Sequence, residues 1–280
     1  MSATTALTAV PSRSPRGENF PVASYLVARR HRPAILAFYH FARTADDVAD
    51  DPSATPGHKL ARLHQLKQGL LGASEGEPVA TALCSAARER GLGVSHALDL
   101  LAAFRQDVGQ HRYDTWEELL AYCRLSAMPV GRFVLDLHGE DRATWAYADP
   151  LCAALQIINH LQDCGSDYRA LDRVYLPLEL LAGGGASVGD LSAERSSSEL
   201  RTVIVAVAER TQALLAAAEP LAASVRDRRL ASEIALIHRL AVDLAAKLRQ
   251  RDPLAARVAH GKARTAWIAA RVLLGRLLRT

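Results

Sequence analysis

Four aspartates close a stretch that begins fully apolar: Phe38-Tyr39-His40-Phe41-Ala42-Arg43-Thr44-Ala45-Asp46-Asp47-Val48-Ala49-Asp50-Asp51. Asp46 and Asp50 stand four apart, and so do Asp47 and Asp51. On a helix, residues at that spacing share a face, with Cβ atoms about 5–6 Å apart. Carboxylates placed there repel each other, so the helix gains nothing from them. A hard cation reverses the sign of that interaction. Mg²⁺ takes carboxylate and water oxygens and commonly sits between one or two carboxylates and a substrate phosphate. The preceding apolar run marks a helix buried nearly all round, so Asp46, Asp47 and Asp50 read as inward-facing. Asp51, beside Pro52, reads as exposed. Arg43, one turn before the acids, has two open readings: a diphosphate ligand, or a partner of the carboxylates.

A second stretch answers the first: Gln156-Ile157-Ile158-Asn159-His160-Leu161-Gln162-Asp163-Cys164-Gly165-Ser166-Asp167-Tyr168. Asn159, Asp163 and Asp167 recur every fourth residue and draw one polar line along an apolar helix. The alternative is the polar face of a surface helix. Two carboxylate faces can oppose each other across a helical bundle, which is how bundle sites are built. Gln156 lies one turn before Asn159, within reach of a diphosphate or a metal-bound water.

The elements that must carry these groups are helical. The chain has 280 residues, of which 49% are hydrophobic and only 5% aromatic. Alanine and leucine dominate, which favours helices over strands. A net charge of +4 is too small to argue for nucleic acid as a partner. No uncharged apolar run reaches the roughly 18–20 residues of a membrane span. Cys84, Cys123, Cys152 and Cys164 lack CxxC spacing and read as buried or incidental thiols in a reducing, cytoplasmic setting.

Residues Met1 to Arg16 are rich in Ser, Thr, Pro and Ala and read as a disordered leader ahead of a domain spanning 17–280. Helices are expected at about 20–30, from Pro33 to the acidic stretch, and at 58–72, 78–90 and 94–109. Asp114 is the expected cap of the next helix, with Glu117 in capping-box spacing. Pro129 should kink that helix, with Gly131 beside the kink. Asp141 or Thr144 opens the helix of the second acidic stretch. Gly183 to Ser198 reads as a soft linker, and two or three long helices follow. The prediction is an all-α bundle of about ten helices. The last helix carries Arg264, Arg271, Arg276 and Arg279, and two readings stand: a helix resting on a membrane surface, or a solvated face with its Arg stems packed down.

At the two acidic stretches the chain resembles the squalene/phytoene synthase family. Phe38 to Asp51 is similar to that family's first aspartate-rich motif. Asn159 to Asp167, followed by Arg173-Val174-Tyr175-Leu176-Pro177, is similar to the second. Tyr122-Cys123 and Val130-Gly131 match the segment between them. The resemblance covers about Glu18 to Lys262. It implies an isoprenoid-synthase-type bundle around a central cavity, a prenyl diphosphate substrate and Mg²⁺. Asp46, Asp47, Asp50, Asn159, Asp163 and Asp167 would hold the metal. Arg43, Gln156, Asn159, Arg257 and Lys262 would bind the diphosphate. Tyr122 falls where the family places a tyrosine near the reacting carbons, though an ordinary core tyrosine is the other reading. His238 falls loosely where a family tyrosine stands, and its role is open.

Departures from the condensing members point to one branch. Gln162 and Ser166 replace an Arg and a Glu of the second motif. Glu18-Asn19-Phe20-Pro21 and Ser126-Ala127-Met128-Pro129-Val130-Gly131-Arg132 resemble the bacterial hopanoid-pathway branch. There presqualene diphosphate ionises, the cation rearranges, and water captures it. Head-to-head condensation of two prenyl diphosphates is the alternative within the family, and a non-catalytic assembly partner the alternative outside catalysis. Contact with neighbouring pathway enzymes and with the inner-membrane surface is the expectation for partners.

Overall fold

Pro33 opens the first long helix because its missing N–H is not needed in a first turn. In the computed structural model, which describes residues 27–73 and 76–277, this helix is α1, Arg32–Asp50. The expected leader lies outside the described residues, as does most of the short helix expected at 20–30. The described end of that segment, 27–31, is a bend and turn. α2 (Pro56–Leu70) is capped by Thr55, whose hydroxyl accepts from the His58 backbone N–H. α3 (Pro78–Arg88) and α4 (Ser95–Asp107) follow close to the expected bounds.

Two expectations shift at the next helix. α5 (Trp116–Ser126) is capped by Thr115, not Asp114. The Thr115 hydroxyl accepts from the Glu118 N–H at 3.2 Å, and the Glu118 carboxylate accepts from the Asp114 N–H at 2.7 Å. The carboxylate closes on the residue before the cap rather than on the cap itself, so the reciprocal box predicted for Asp114 and Glu117 does not form. Pro129 does not kink a continuous helix either. The chain breaks at Ala127, and α6 (Met128–Leu137) starts afresh with Pro129 in its first turn. Gly131 has a reason beyond flexibility: a Cβ there would lie 2.5 Å from Cys152 Sγ, so α6 packs backbone-close on the next long helix.

Asp141 caps a 3₁₀ turn (Arg142–Thr144) that runs into α7, Trp145–Leu171. Asp172 ends α7 with φ 51°, the one described non-glycine residue in the left-handed region. Asp tolerates that conformation better than most residues, and Arg112 donates to both its carboxylate and its carbonyl. The expected linker at 183–198 is built rather than soft. α8 (Leu178–Gly183) leads to a 3₁₀ turn (Val188–Ser192) held by a Ser187–Asp190 capping box. α9 (Ser198–Ala218), α10 (Leu221–Ser224), α11 (Arg228–Leu248) and α12 (Lys262–Leu277) complete the described chain. Among the described residues the fold is twelve α-helices with no strand.

Two hydrophobic cores hold the bundle. One joins α1–α4 to Phe133 and Leu137 of α6, with Phe38 stacked on Phe133 at 4.2 Å. The other joins α5, α7, α9 and α11 through residues such as Ile157, Leu161, Ile204 and Leu244. α6 belongs to both, giving Leu135 to the second. The four cysteines are free; Cys84, Cys123 and Cys164 are buried and Cys152 is half-buried.

Candidate active site

α1 comes from one core and α7 from the other, and a cavity of about 430 Å³ opens between them. Helical spacing decides which side chains face it. On α1 these are Tyr39, Arg43, Asp46 and Asp50; on α7 they are Gln156, Asn159, His160, Asp163 and Asp167. Tyr122 enters from α5, and Arg257 from the connector between α11 and α12. Most of the residues expected from the sequence therefore meet around one space.

Others do not. Asp47 is turned away from the cavity lining and accepts from Arg43 Nη2 at 3.2 Å. Arg43 also pairs with Asp46 at 2.6 Å, so it contacts the carboxylates while lining the cavity. Asp51 takes the Ser53 N–H and hydroxyl in a local turn. Lys262 is exposed at the start of α12 and is not part of the lining. His238 donates from Nε2 to the Leu215 carbonyl at 2.8 Å, tying α11 to α9 away from the cavity.

Three further lining groups were not singled out from the sequence. Asp107, at the end of α4 and 3% exposed, accepts the Tyr122 hydroxyl at 3.0 Å. Arg173, buried just past α7, donates to Asp50 and to the Asp107 carbonyl. His160 stacks on Tyr175 with ring centroids 3.5 Å apart. Arg173 and Tyr175 stand in the Arg-Val-Tyr-Leu-Pro segment, which carried a signal. Asp107 follows Arg105 and Gln106 on an ordinary helix and carried none. Tyr113, Tyr122, Tyr175 and His160 form one aromatic wall, with centroid separations of 5.2–6.2 Å around Tyr122.

The electrostatics follow from burial. Desolvation disfavours a charged carboxylate, and a neighbouring carboxylate adds to the effect. Burial, then Asp50, pushes the Asp46 carboxyl up, with Arg43 opposing. Burial, then Asp163, pushes Asp167 up to about 7. Asp107 rises to about 6 through burial, held down in part by Arg173 and by the Tyr122 hydrogen bond. His160 is driven down to about 3 by burial and then by Arg173, so its imidazole is neutral at ordinary pH.

This donor set fits a divalent cation shared with a phosphate. The oxygens are hard, the carboxylates lie in pairs on opposite walls, and their charge is destabilised by burial. Among the described residues, no three carboxylate, His or Cys side chains converge closely enough to hold an ion unaided. A small hard cation that keeps waters and takes phosphate oxygens is the kind that needs no complete protein cage.

An all-α bundle with opposed aspartate-rich helices and an aromatic wall defines a class of diphosphate-handling proteins. The squalene/phytoene synthase family model matches residues 14–279, and the chain belongs to that family. It is 52% identical to the hydroxysqualene synthase of Rhodopseudomonas palustris over 87% of this chain and 83% of that one. It is 47% identical to the hydroxysqualene synthase of Zymomonas mobilis over 96% of this chain and 91% of the relative. The crystal structure of squalene synthase HpnC from Alicyclobacillus acidocaldarius superposes with a TM-score of 0.72 at 34% identity, covering 82% of this chain and 87% of that one.

Proposed function

We propose that this protein is a hydroxysqualene synthase of hopanoid biosynthesis, converting presqualene diphosphate and water to hydroxysqualene and diphosphate. The observation that carries the reading is the cavity itself: carboxylate pairs on two opposed walls and buried aromatics beside them, in a chain about half identical to hydroxysqualene synthases.

Asp46, Asp50, Asp163 and Asp167, with Asn159, would hold Mg²⁺ against the diphosphate. Bound there, the cation would neutralise the leaving group and weaken the carbon–oxygen bond. Arg43 and Arg257 would bind diphosphate oxygens, with Gln156 beside them, and Asp47 would align the Arg43 guanidinium. The bond breaks with its electron pair on diphosphate. Tyr122 and Tyr175 offer π faces to the resulting cation. The Tyr122 hydroxyl is engaged by Asp107, which fixes the ring. The rearranged cation takes a water oxygen lone pair, and the released proton goes to diphosphate. Peripheral contact with the inner membrane and with neighbouring pathway enzymes belongs to the same reading.

A product assay with Mg²⁺ tests it, with presqualene diphosphate or farnesyl diphosphate, each with and without NADPH. An alcohol from presqualene diphosphate, indifferent to NADPH, is the expected result. Presqualene diphosphate accumulating from farnesyl diphosphate would move the chain to the condensing branch. No product from either would refute the reading.

A further inference from the structure

The last helix is apolar on the face it turns outward as well as where it packs. On α12, Ile268 is 3% exposed and packs inward. The opposite face should be polar if it meets only solvent. Instead Ala263, Ala266, Trp267, Ala270 and Leu274 are exposed there, with Trp267 at 47% and Leu274 at 60%. At 100° per residue these five fall on one strip, about 100° wide. Arg264 and Arg271 border the strip along one edge, their guanidinium carbons 4.6 and 4.9 Å from the centre of the Trp267 ring.

The orientation is fixed rather than incidental. Asp243 on α11 accepts from His260 Nε2 at 2.9 Å and from Arg264, and pairs with Lys247 at 3.1 Å. Those bonds, with Ile268, hold α12 so that the apolar strip faces outward. From Lys262 to the C-terminus the sequence has Lys262, Arg264, Arg271, Arg276 and Arg279, and no acidic residue. No described helix is long and apolar enough to cross a membrane.

We propose that the outer face of α12 docks in the plane of an anionic phospholipid surface, an inference that rests on the peripheral membrane contact of the proposed function and names the face that makes it. Trp267 and Leu274 enter the boundary between headgroups and acyl chains, and Arg271 meets lipid phosphates. Apolar insertion plus attraction of basic residues to anionic lipid is the physics of interfacial helices. The five residue steps from Arg257, which lines the cavity, to Lys262 span at most about 18 Å. The docked helix therefore begins within that distance of a cavity-lining residue, where an apolar substrate or product would have a short path to lipid.

The test is co-sedimentation of the full chain with phosphatidylcholine vesicles, with and without phosphatidylglycerol. The wild type is expected to pellet with the phosphatidylglycerol vesicles and to be released by salt. Arg271→Gln should weaken this about fivefold. The double variant Trp267→Ser/Leu274→Ser should remain in the supernatant, with unchanged helix content and unchanged turnover of detergent-solubilised substrate. Equal pelleting of the double variant and wild type would overturn the proposal, as would wild type left in the supernatant with both vesicles. A wild-type dimer that the double variant dissolves, without vesicle binding, would also overturn it and assign the face to a second copy of the chain.

Discussion

Asp46 and Asp163 stand on opposite walls of the cavity, so in the proposed reading each carboxylate would serve a separate half of the cation site. Asp46→Asn and Asp163→Asn are each expected to cut turnover by at least about a hundredfold. Far-UV circular dichroism should not change, and undiminished turnover would sink the metal assignment. Tyr122→Phe tests a different link. It strips Asp107 of a buried hydrogen-bond donor and should cost about 1–3 kcal/mol in a denaturant titration. His31 supplies a pH signature. Burial, then His138 and Arg30, lowers its pKa to about 4 from 6.5. The fold thus excludes a proton that the unfolded chain binds. Its contribution to stability is full above pH 6.5 and falls as pH drops towards 4. Asp46 and Asp167, pushed up, slope the other way, so the difference between wild type and His31→Asn isolates the effect. That variant should flatten the acid limb by at most about 1.4 kcal/mol per pH unit. At this scale the sequence was legible where residues repeat at a helical period, as at Asp46/Asp50 and Asn159/Asp163/Asp167. Asp107 was not, because its importance comes from Tyr122 and Arg173, which reach it through tertiary packing.

Among elements, the contact of α6 with α7 leaves no room for a side chain at Gly131. Gly131→Ala puts a methyl group against Cys152 and should destabilise by about 1–3 kcal/mol through overpacking. Gly131→Ala combined with Cys152→Ala should recover much of that in the same melt, and no recovery would refute the steric account. Helix positions were readable from Pro33, from the glycines between α3 and α4, and from apolar spacing. Local chemistry that depends on one residue was less so. Asp114 and Thr115 both suit a cap, and the register of Glu118 rather than Glu117 decides between them. Pro129 reads equally as a kink or as the first turn of a new helix, and the close approach to α7 selects the new helix.

At the scale of the molecule, the cavity lies between the two cores, and the ion pair between Asp50 and Arg173 crosses that divide. A ligand that bridges α1 and α7 binds only the assembled form. Inorganic diphosphate with Mg²⁺ should therefore raise the melting temperature of the wild type. The same ligand should leave Asp163→Asn nearly unshifted in a thermal scan. The all-α class was legible from composition. The division into two cores was not, because α6 joins them with alternate faces and only the assembled helices reveal which residues each face meets.

The cysteines carry a consequence for experiment. Burial pushes the Cys123, Cys152 and Cys164 thiols up to about 12, so at neutral pH they are protonated and poor nucleophiles. A maleimide should pass them by while the protein stays folded. A cysteine placed at Leu274, which is 60% exposed, would then be labelled far faster than these three, and α12 could carry a fluorophore with those three thiols left in place.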